Sequence, residues 1–255
     1  MPTGAITEYI DVAQVCLYVF WLFFAGLIFW IRINDRREGY PLEREDTGWI
    51  FGKTPLLWPQ RKEYLLPNGE TYVVPNDTRD TREVKAKPVW PNMGSALQPT
   101  GNPMTDCVGP ASYTERHDEP EMTITGEALI VPMRVAEGFK LSKNSGDPRG
   151  TPVEAADGQV AGKVKDLWVD RADFDVRYLE IELNDGGTRL VPMPMVKYNR
   201  FRNKVDVASI LSTQFGDVPT TAKPDQITAL EEDKIMAYYG GGHLYAYPAR
   251  LGPLL

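Results

Sequence analysis

Histidine and cysteine are almost missing from this 255-residue chain: His117 and His243, with Cys16 and Cys107, are all it contains. No two of the four stand at ligand spacing, so a metal site made by this chain alone is not expected. No nucleophile stands near a candidate base either, which argues against a catalytic role. Cys16 falls in an apolar run and Cys107 in polar sequence, so two free thiols are expected, as in a reducing compartment. Basic residues are outnumbered, 28 Lys and Arg against 35 Asp and Glu. The net charge of -7 argues against a nucleic-acid partner, whose phosphates would demand a basic face. No Lys or Arg precedes Arg32, and nothing charged interrupts residues 12–31.

That last absence is the most informative. Twenty uncharged residues at about 1.5 Å per residue make a helix of roughly 30 Å, the thickness of a bilayer core. Twelve of them are Leu, Ile, Val or Phe, which favours insertion by roughly 4 to 7 kcal/mol. A cleavable signal peptide would need a basic start and a small-residue cleavage site, and neither is present. Glu8 and Asp11 precede the run, whereas Arg32, Arg36, Arg37 and Arg44 follow it. The positive-inside rule therefore predicts an N-terminus outside and the large C-terminal part in the cytoplasm. Trp30 with Arg32, Arg36 and Arg37 forms a predicted contact with anionic lipid. With no His in the run, an axial ligand for a chlorophyll or haem is missing, so the helix is expected to anchor and not to bind pigment.

Four regions are expected: 1–11 outside the membrane, 12–31 across it, a Pro-rich extended segment over 32–149, and a β domain over 150–255. The helix should run past Arg32 and stop at Gly39 and Pro41. Thirteen of the 21 prolines lie between Pro41 and Pro148, which rules out long helices there. Within this stretch, Glu63 to Val74 predicts a hairpin over Pro67-Asn68-Gly69. Trp90, Met93, Leu97 and Met104 are apolar residues in a segment too poor to build its own core, so it is expected to lie against another protein. After Gly150, strands are predicted over 159–169, 176–183 and 188–193, with a hairpin over 198–207. Tyr178, Glu180 and Glu182 alternate imperfectly with Val176, Leu179, Ile181 and Leu183. Together these suggest a small antiparallel barrel or sandwich. Thr228 to Glu231 is a capping box opening a helix over Ala229 to Tyr239, with Gly240-Gly241-Gly242 as its stop and Glu232, Asp233 and Lys234 on or near its wet side.

Four ordered blocks give the chain a resemblance. They are Asp35-Arg36-Arg37-Glu38-Gly39-Tyr40-Pro41-Leu42; Gly101-Asn102-Pro103-Met104 with Val108 to Tyr113; Ala161-Gly162-Lys163-Val164 with Asp166 to Asp170; and Leu230 to Lys234. In these the chain resembles the H subunit of the purple-bacterial photosynthetic reaction centre, whose cytoplasmic domain holds a PRC-barrel. The resemblance implies a non-pigmented subunit of the photosynthetic inner (intracytoplasmic, chromatophore) membrane. It would cap the L and M subunits, with a cytochrome subunit and an antenna ring as further neighbours. Bacteriochlorophyll, bacteriopheophytin, quinones, carotenoid and non-haem iron would all sit on other subunits. It further implies that Asp170, Asp173, Arg177 and Glu232 carry protons toward the second quinone, with Asp173 standing where some relatives have Glu.

Each of these has a plainer reading beside it. Asp170 could be a turn acid, Arg177 an ion-pair partner, and Glu232 a first-turn acid answering the helix dipole. Relatives with a surface histidine pair at the proton entrance differ from the Thr123-Ile124-Thr125-Gly126-Glu127 stretch here. His117, Asp118, Glu119 and Glu127 are the candidate replacements, one group titrating near neutrality among three acids; the alternative is a solvated loop. A rival reading of the whole chain is a single-span adaptor that docks a different cytoplasmic partner through its barrel.

Overall fold

The computed structural model describes the chain apart from residues 1–3, 5, 8–9, 45–48, 53, 77–79, 81, 93, 143–144 and 252–255. Glu8 and Met93 therefore lie outside the described residues. Two compact units are formed, one by Met1–Thr81 with Asn92–Gly94 and one by Arg82–Pro91 with Ser95–Leu255.

In the first unit, helix α1 spans Val12–Asn34, capped by the Asp11 carboxylate on the Gln14 amide at 2.7 Å. It continues as a 3-10 turn over Asp35–Arg37 and ends at Gly39, which has a positive φ of 71°. No residue of α1 is buried, and it is long and apolar enough to cross a membrane. Two short antiparallel ladders follow, β1 (Leu42–Glu43) with β2 (Ile50–Phe51), and β3 (Lys62–Leu65) with β4 (Thr71–Val74). The second is the predicted hairpin. Gly69 supplies the positive φ of 86° its turn requires, and Leu66 closes it through one backbone bond to Glu70.

The second unit opens with β5 (Ala86–Pro88) paired to β6 (Leu97–Pro99). Its core is a seven-stranded sheet: β7 (Ile130–Pro132), β8 (Pro152–Ala155), β9 (Val160–Asp170), β10 (Asp175–Leu183), β11 (Thr188–Pro192), β12 (Lys197–Asn199) and β13 (Lys204–Val207). The strand order is β11-β10-β9-β8-β13-β12, with β7 added alongside β9. Every ladder is antiparallel except β13 with β8, which is parallel. The fold is thus one apolar N-terminal helix, a mainly β domain and a C-terminal helix. The sheet draws in Ile130–Pro132, which precede the boundary expected at residue 150.

The β9–β10 ladder carries two bulges, one that leaves Arg177 unpaired in β10 and one that leaves Lys165 unpaired in β9, and the first interrupts the alternation along β10. Each bulge resets which face a side chain takes. Tyr178, Leu179, Glu180 and Ile181 follow one another without an extra residue and are all buried, so both faces of β10 are covered here and Glu180 is not the solvent-facing residue that alternation predicts. The C-terminal helix α2 (Ala229–Tyr245) packs on this sheet through Ile235, Tyr238 and Tyr239.

Helix α2 overturns two expectations. It does not stop at Gly240-Gly241-Gly242 but runs through them to Tyr245. None of the three has a positive φ, and Gly241 and Gly242 are buried. A Cβ on Gly241 would stand 2.5 Å from the Ala111 Cβ, and one on Gly242 would be 2.7 Å from the Ser209 carbonyl oxygen. The glycines serve close packing, not termination. The partner on one side is the 3-10 turn Gly109–Ala111, and Met104, Val108 and Ala111 are all buried. This part of the Pro-rich segment lies on its own chain because α2 supplies the apolar surface it lacks; Trp90 and Leu97 remain exposed.

Candidate functional site

Asp170 ends β9 and Asp175 begins β10, so residues 171–174 form the tight turn between them. Asp170 is 2% exposed. Its Oδ1 accepts the backbone N–H groups of Ala172 at 2.9 Å and Asp173 at 3.1 Å, while its Oδ2 lies 3.6 Å from the Arg177 Nε. It is therefore a turn acid and an ion-pair member together. Asp173 is exposed at the turn, beside Phe174, whose φ of 56° is left-handed. Arg177 is the residue left over at the β10 bulge, which frees it from the strand's alternation.

Glu232 lies in the first turn of α2, whose N-terminus is held by the Thr228 and Glu231 capping box. It is half-buried and not on the wet side of the helix. The Tyr178 hydroxyl donates to its Oε2 at 2.7 Å. Burial pushes the Glu232 carboxyl above the ordinary range; the Tyr178 bond opposes the shift, Glu121 adds to it, and the positive charges of Arg177 and Arg116 oppose it. Burial and the Glu232 charge together push the Tyr178 hydroxyl up as well. Arg116 joins Glu121 at 2.7 Å and Asp233 at 3.5 Å. Strand β10, helix α2 and the loop before β7 thus supply one connected set of charges.

The surface residues join the same set from outside. Asp118 accepts the Thr228 hydroxyl at 2.7 Å, and the Glu119 carbonyl accepts the Ala229 amide at 3.1 Å. His117, Asp118 and Glu119 are thereby brought to the N-terminus of the helix that carries Glu232. Glu127 pairs at 3.2 Å with Arg171, the residue after Asp170. His117 is exposed.

A second ionic cluster escapes any reading by alternation. Glu180, 4% exposed, and Asp166, 6% exposed, share Arg134, whose Nη1 is 2.5 Å from Glu180 and 3.1 Å from Asp166. Lys165 reaches Glu180 Oε1 at 3.0 Å, and the Trp168 indole N–H donates to its Oε2 at 3.0 Å. Burial alone would raise the Glu180 carboxyl, but the bonds from Arg134, Lys165 and Trp168 outweigh it and hold the group below the ordinary range. The only sequence cue is a carboxylate inside the apolar run Leu179-Glu180-Ile181.

At the end of α1, Trp30 is exposed and Arg32 stands 3.9 Å from Asp35. Arg36 donates to the Gly52 carbonyl at 3.2 Å and stacks on Tyr40, and Arg37 donates to the Gln60 carbonyl. These two arginines therefore tie the helix end to residues 52–60. Among the described residues, no group of three or more His, Cys, Asp or Glu could hold a metal ion.

Comparison with known families accounts for most of the chain. Residues 143–212 match the PRC-barrel domain, which covers most of the seven-stranded sheet. Residues 4–135, just over half of the chain, match the N-terminal region of the photosynthetic reaction centre H-chain. With α1, the hairpins and the 104–111 turn all inside that match, the chain belongs to the H-chain family of the photosynthetic reaction centre.

Proposed function

We propose that this H chain caps the cytoplasmic side of the L and M subunits, shields the quinone and iron region they hold, and conducts protons to the second quinone. In this reading α1 is a single-pass anchor in the photosynthetic inner membrane, with residues 1–11 periplasmic, 32–149 membrane-proximal and 150–255 the cytoplasmic barrel domain. Trp30, Arg32, Arg36 and Arg37 meet lipid headgroups. The pigments, quinones, carotenoid and iron belong to the other subunits, and a cytochrome subunit and an antenna ring are its further neighbours.

The observation that carries the proton reading is Glu232: a half-buried acid with a raised pKa, hydrogen-bonded to Tyr178 and facing the Arg177 that also pairs with Asp170. A quinone reduced twice in a low-dielectric pocket gains charge that must be met by protons. A carboxyl whose pKa is lifted toward neutrality holds and releases a proton more readily than an ordinary one. Asp170 and Arg177 keep the inner end charged, Asp173 stands exposed beside them, and His117, Asp118, Glu119 and Glu127 gather protons at the surface.

Glu232→Gln and Asp170→Asn, each in the assembled reaction centre, are expected to slow flash-induced proton uptake and quinol formation by roughly 100-fold or more, and Asp173→Asn by less. The first electron step, which needs no proton, keeps its rate. Unchanged proton uptake in both of the first two variants would falsify the relay. Orientation is checked separately by protease treatment of sealed membrane vesicles: cleavage after Gly150 only from the cytoplasmic side is the expected result.

A further inference from the structure

Strands β9, β10 and β11, Arg134 and the loop 220–224 line a half-open cavity of about 350 Å³ that has no part in the proton site. Its lining includes Arg134, Lys165 and Arg189 against a single acid, Glu180. Both Glu180 oxygens are engaged, one by Lys165 and the other by Arg134 and Trp168, and Asp166 balances Arg134 from behind. What is left over is the positive charge of Arg189. Among the described residues, Arg189 donates to two backbone carbonyls, Thr188 at 2.9 Å and Gly216 at 2.7 Å, and its buried Nε has no acceptor. A guanidinium fixed by carbonyls keeps its full charge and has donors to spare. In a chain of net charge -7, this is a local reversal of sign.

The walls are also set in advance. Arg134 Nη2 holds the loop at the Pro224 carbonyl at 2.6 Å, and Glu231 holds it at the Ala222 amide at 2.6 Å. Thr188, Thr220 and Thr221 also line the cavity. A fixed arginine, a lysine and nearby hydroxyls around a pocket of this size match the way proteins hold a phosphate or similar oxyanion.

We infer that this cavity binds a small oxyanion of the phosphate class, with Arg189 as its principal charge partner and Lys165 and Thr221 as supporting donors. The phosphate can come from solution or from a lipid headgroup, since both present the same oxygens.

The test uses the detergent-solubilised complex that contains this chain and follows the ³¹P linewidth of inorganic phosphate at constant ionic strength. Saturable broadening is expected, with affinity reduced at least roughly tenfold in Arg189→Gln. It should be retained in Arg202→Gln, an exposed arginine that does not line the cavity. If Arg189→Gln does not assemble, Lys165→Met combined with Thr221→Val interrogates the same cavity from its other walls and is expected to weaken binding. Dihexanoyl phosphatidylglycerol below its micellar concentration distinguishes the sources: displacement of phosphate at lower concentration assigns a lipid headgroup, and no displacement assigns a free anion. Absence of saturable broadening in the unmodified complex overturns the inference. So does the same affinity in Arg189→Gln, or in the double variant where that is the one assembled.

Discussion

Arg134→Met is expected to destabilise the second unit by about 3 kcal/mol at neutral pH, at the lower end of what removing one partner of a buried ion pair costs. One guanidinium nitrogen serves both Glu180 and Asp166, and both carboxylates are nearly shielded from water. Without it, Lys165 still meets Glu180, but Asp166 faces another acid across the β9–β10 ladder, where it is paired with Glu180. The loss of the Pro224 bond adds to this by freeing the loop.

The sign of the pH dependence discriminates this mechanism from simple loss of packing. In the unmodified chain the Glu180 pKa is depressed on folding. Its contribution to stability is therefore complete above the ordinary carboxylate pKa and is lost as pH falls through the lower folded value. Removing Arg134 takes away the main cause of the depression, so protonation then relieves the folded state. The deficit of Arg134→Met should shrink as pH is lowered from 7 toward 4, and thermal unfolding of the full-length chain in detergent measures it. At neutral pH a fall in Tm of roughly 6 to 12 °C corresponds to the stated energy. A deficit that is constant with pH would show that the cluster contributes packing alone.

Gly242→Ala is the second large effect, with an expected loss of about 3 kcal/mol or more, the upper part of the range for overpacking. The added methyl group meets the Ile210 side chain and, at 2.7 Å, the Ser209 carbonyl oxygen. Ile210 is fully buried and Arg250 also bonds that carbonyl at 3.0 Å, so neither neighbour can give way cheaply. Gly240→Ala is the internal control. Its Cβ meets only the Pro110 carbonyl oxygen at 3.4 Å, and an alanine in a helix interior is favoured over glycine by up to about 1 kcal/mol. Opposite signs at two positions in one glycine triplet are expected in thermal unfolding. If both substitutions destabilised equally, the triplet would be ending the helix and not packing it.

These two cases show where reading the sequence ran short. A glycine triplet after an apolar helix carries the same local signal whether it ends the helix or lets it touch a neighbour. The choice depends on Ala111 and Ile210, which approach from 130 and 32 residues away. Glu180 carries the signal of a wet strand position, and only the covering of both faces of β10 and the arrival of Arg134 make it internal. Asp170 was legible as a turn acid and Arg177 as an ion-pair partner, but that the two pair with each other was not. Glu232 was legible as a first-turn acid, yet its link to Tyr178 spans 54 residues of sequence and could not be read locally.

What the sequence determined by itself is what short-range chemistry controls. An uncharged run of residues 12–31 dictates a helix suited to a bilayer, Asn68-Gly69 dictates a turn, and Thr228 with Glu231 dictates a helix start. Each depends on groups within a few residues of one another. Tertiary structure alone decided which acids are buried, which are paired, and where a positive charge is left without a carboxylate. Desolvation and Coulomb energy depend on distance in space and on the exclusion of water, and neither quantity exists until β9, β10 and α2 have come together.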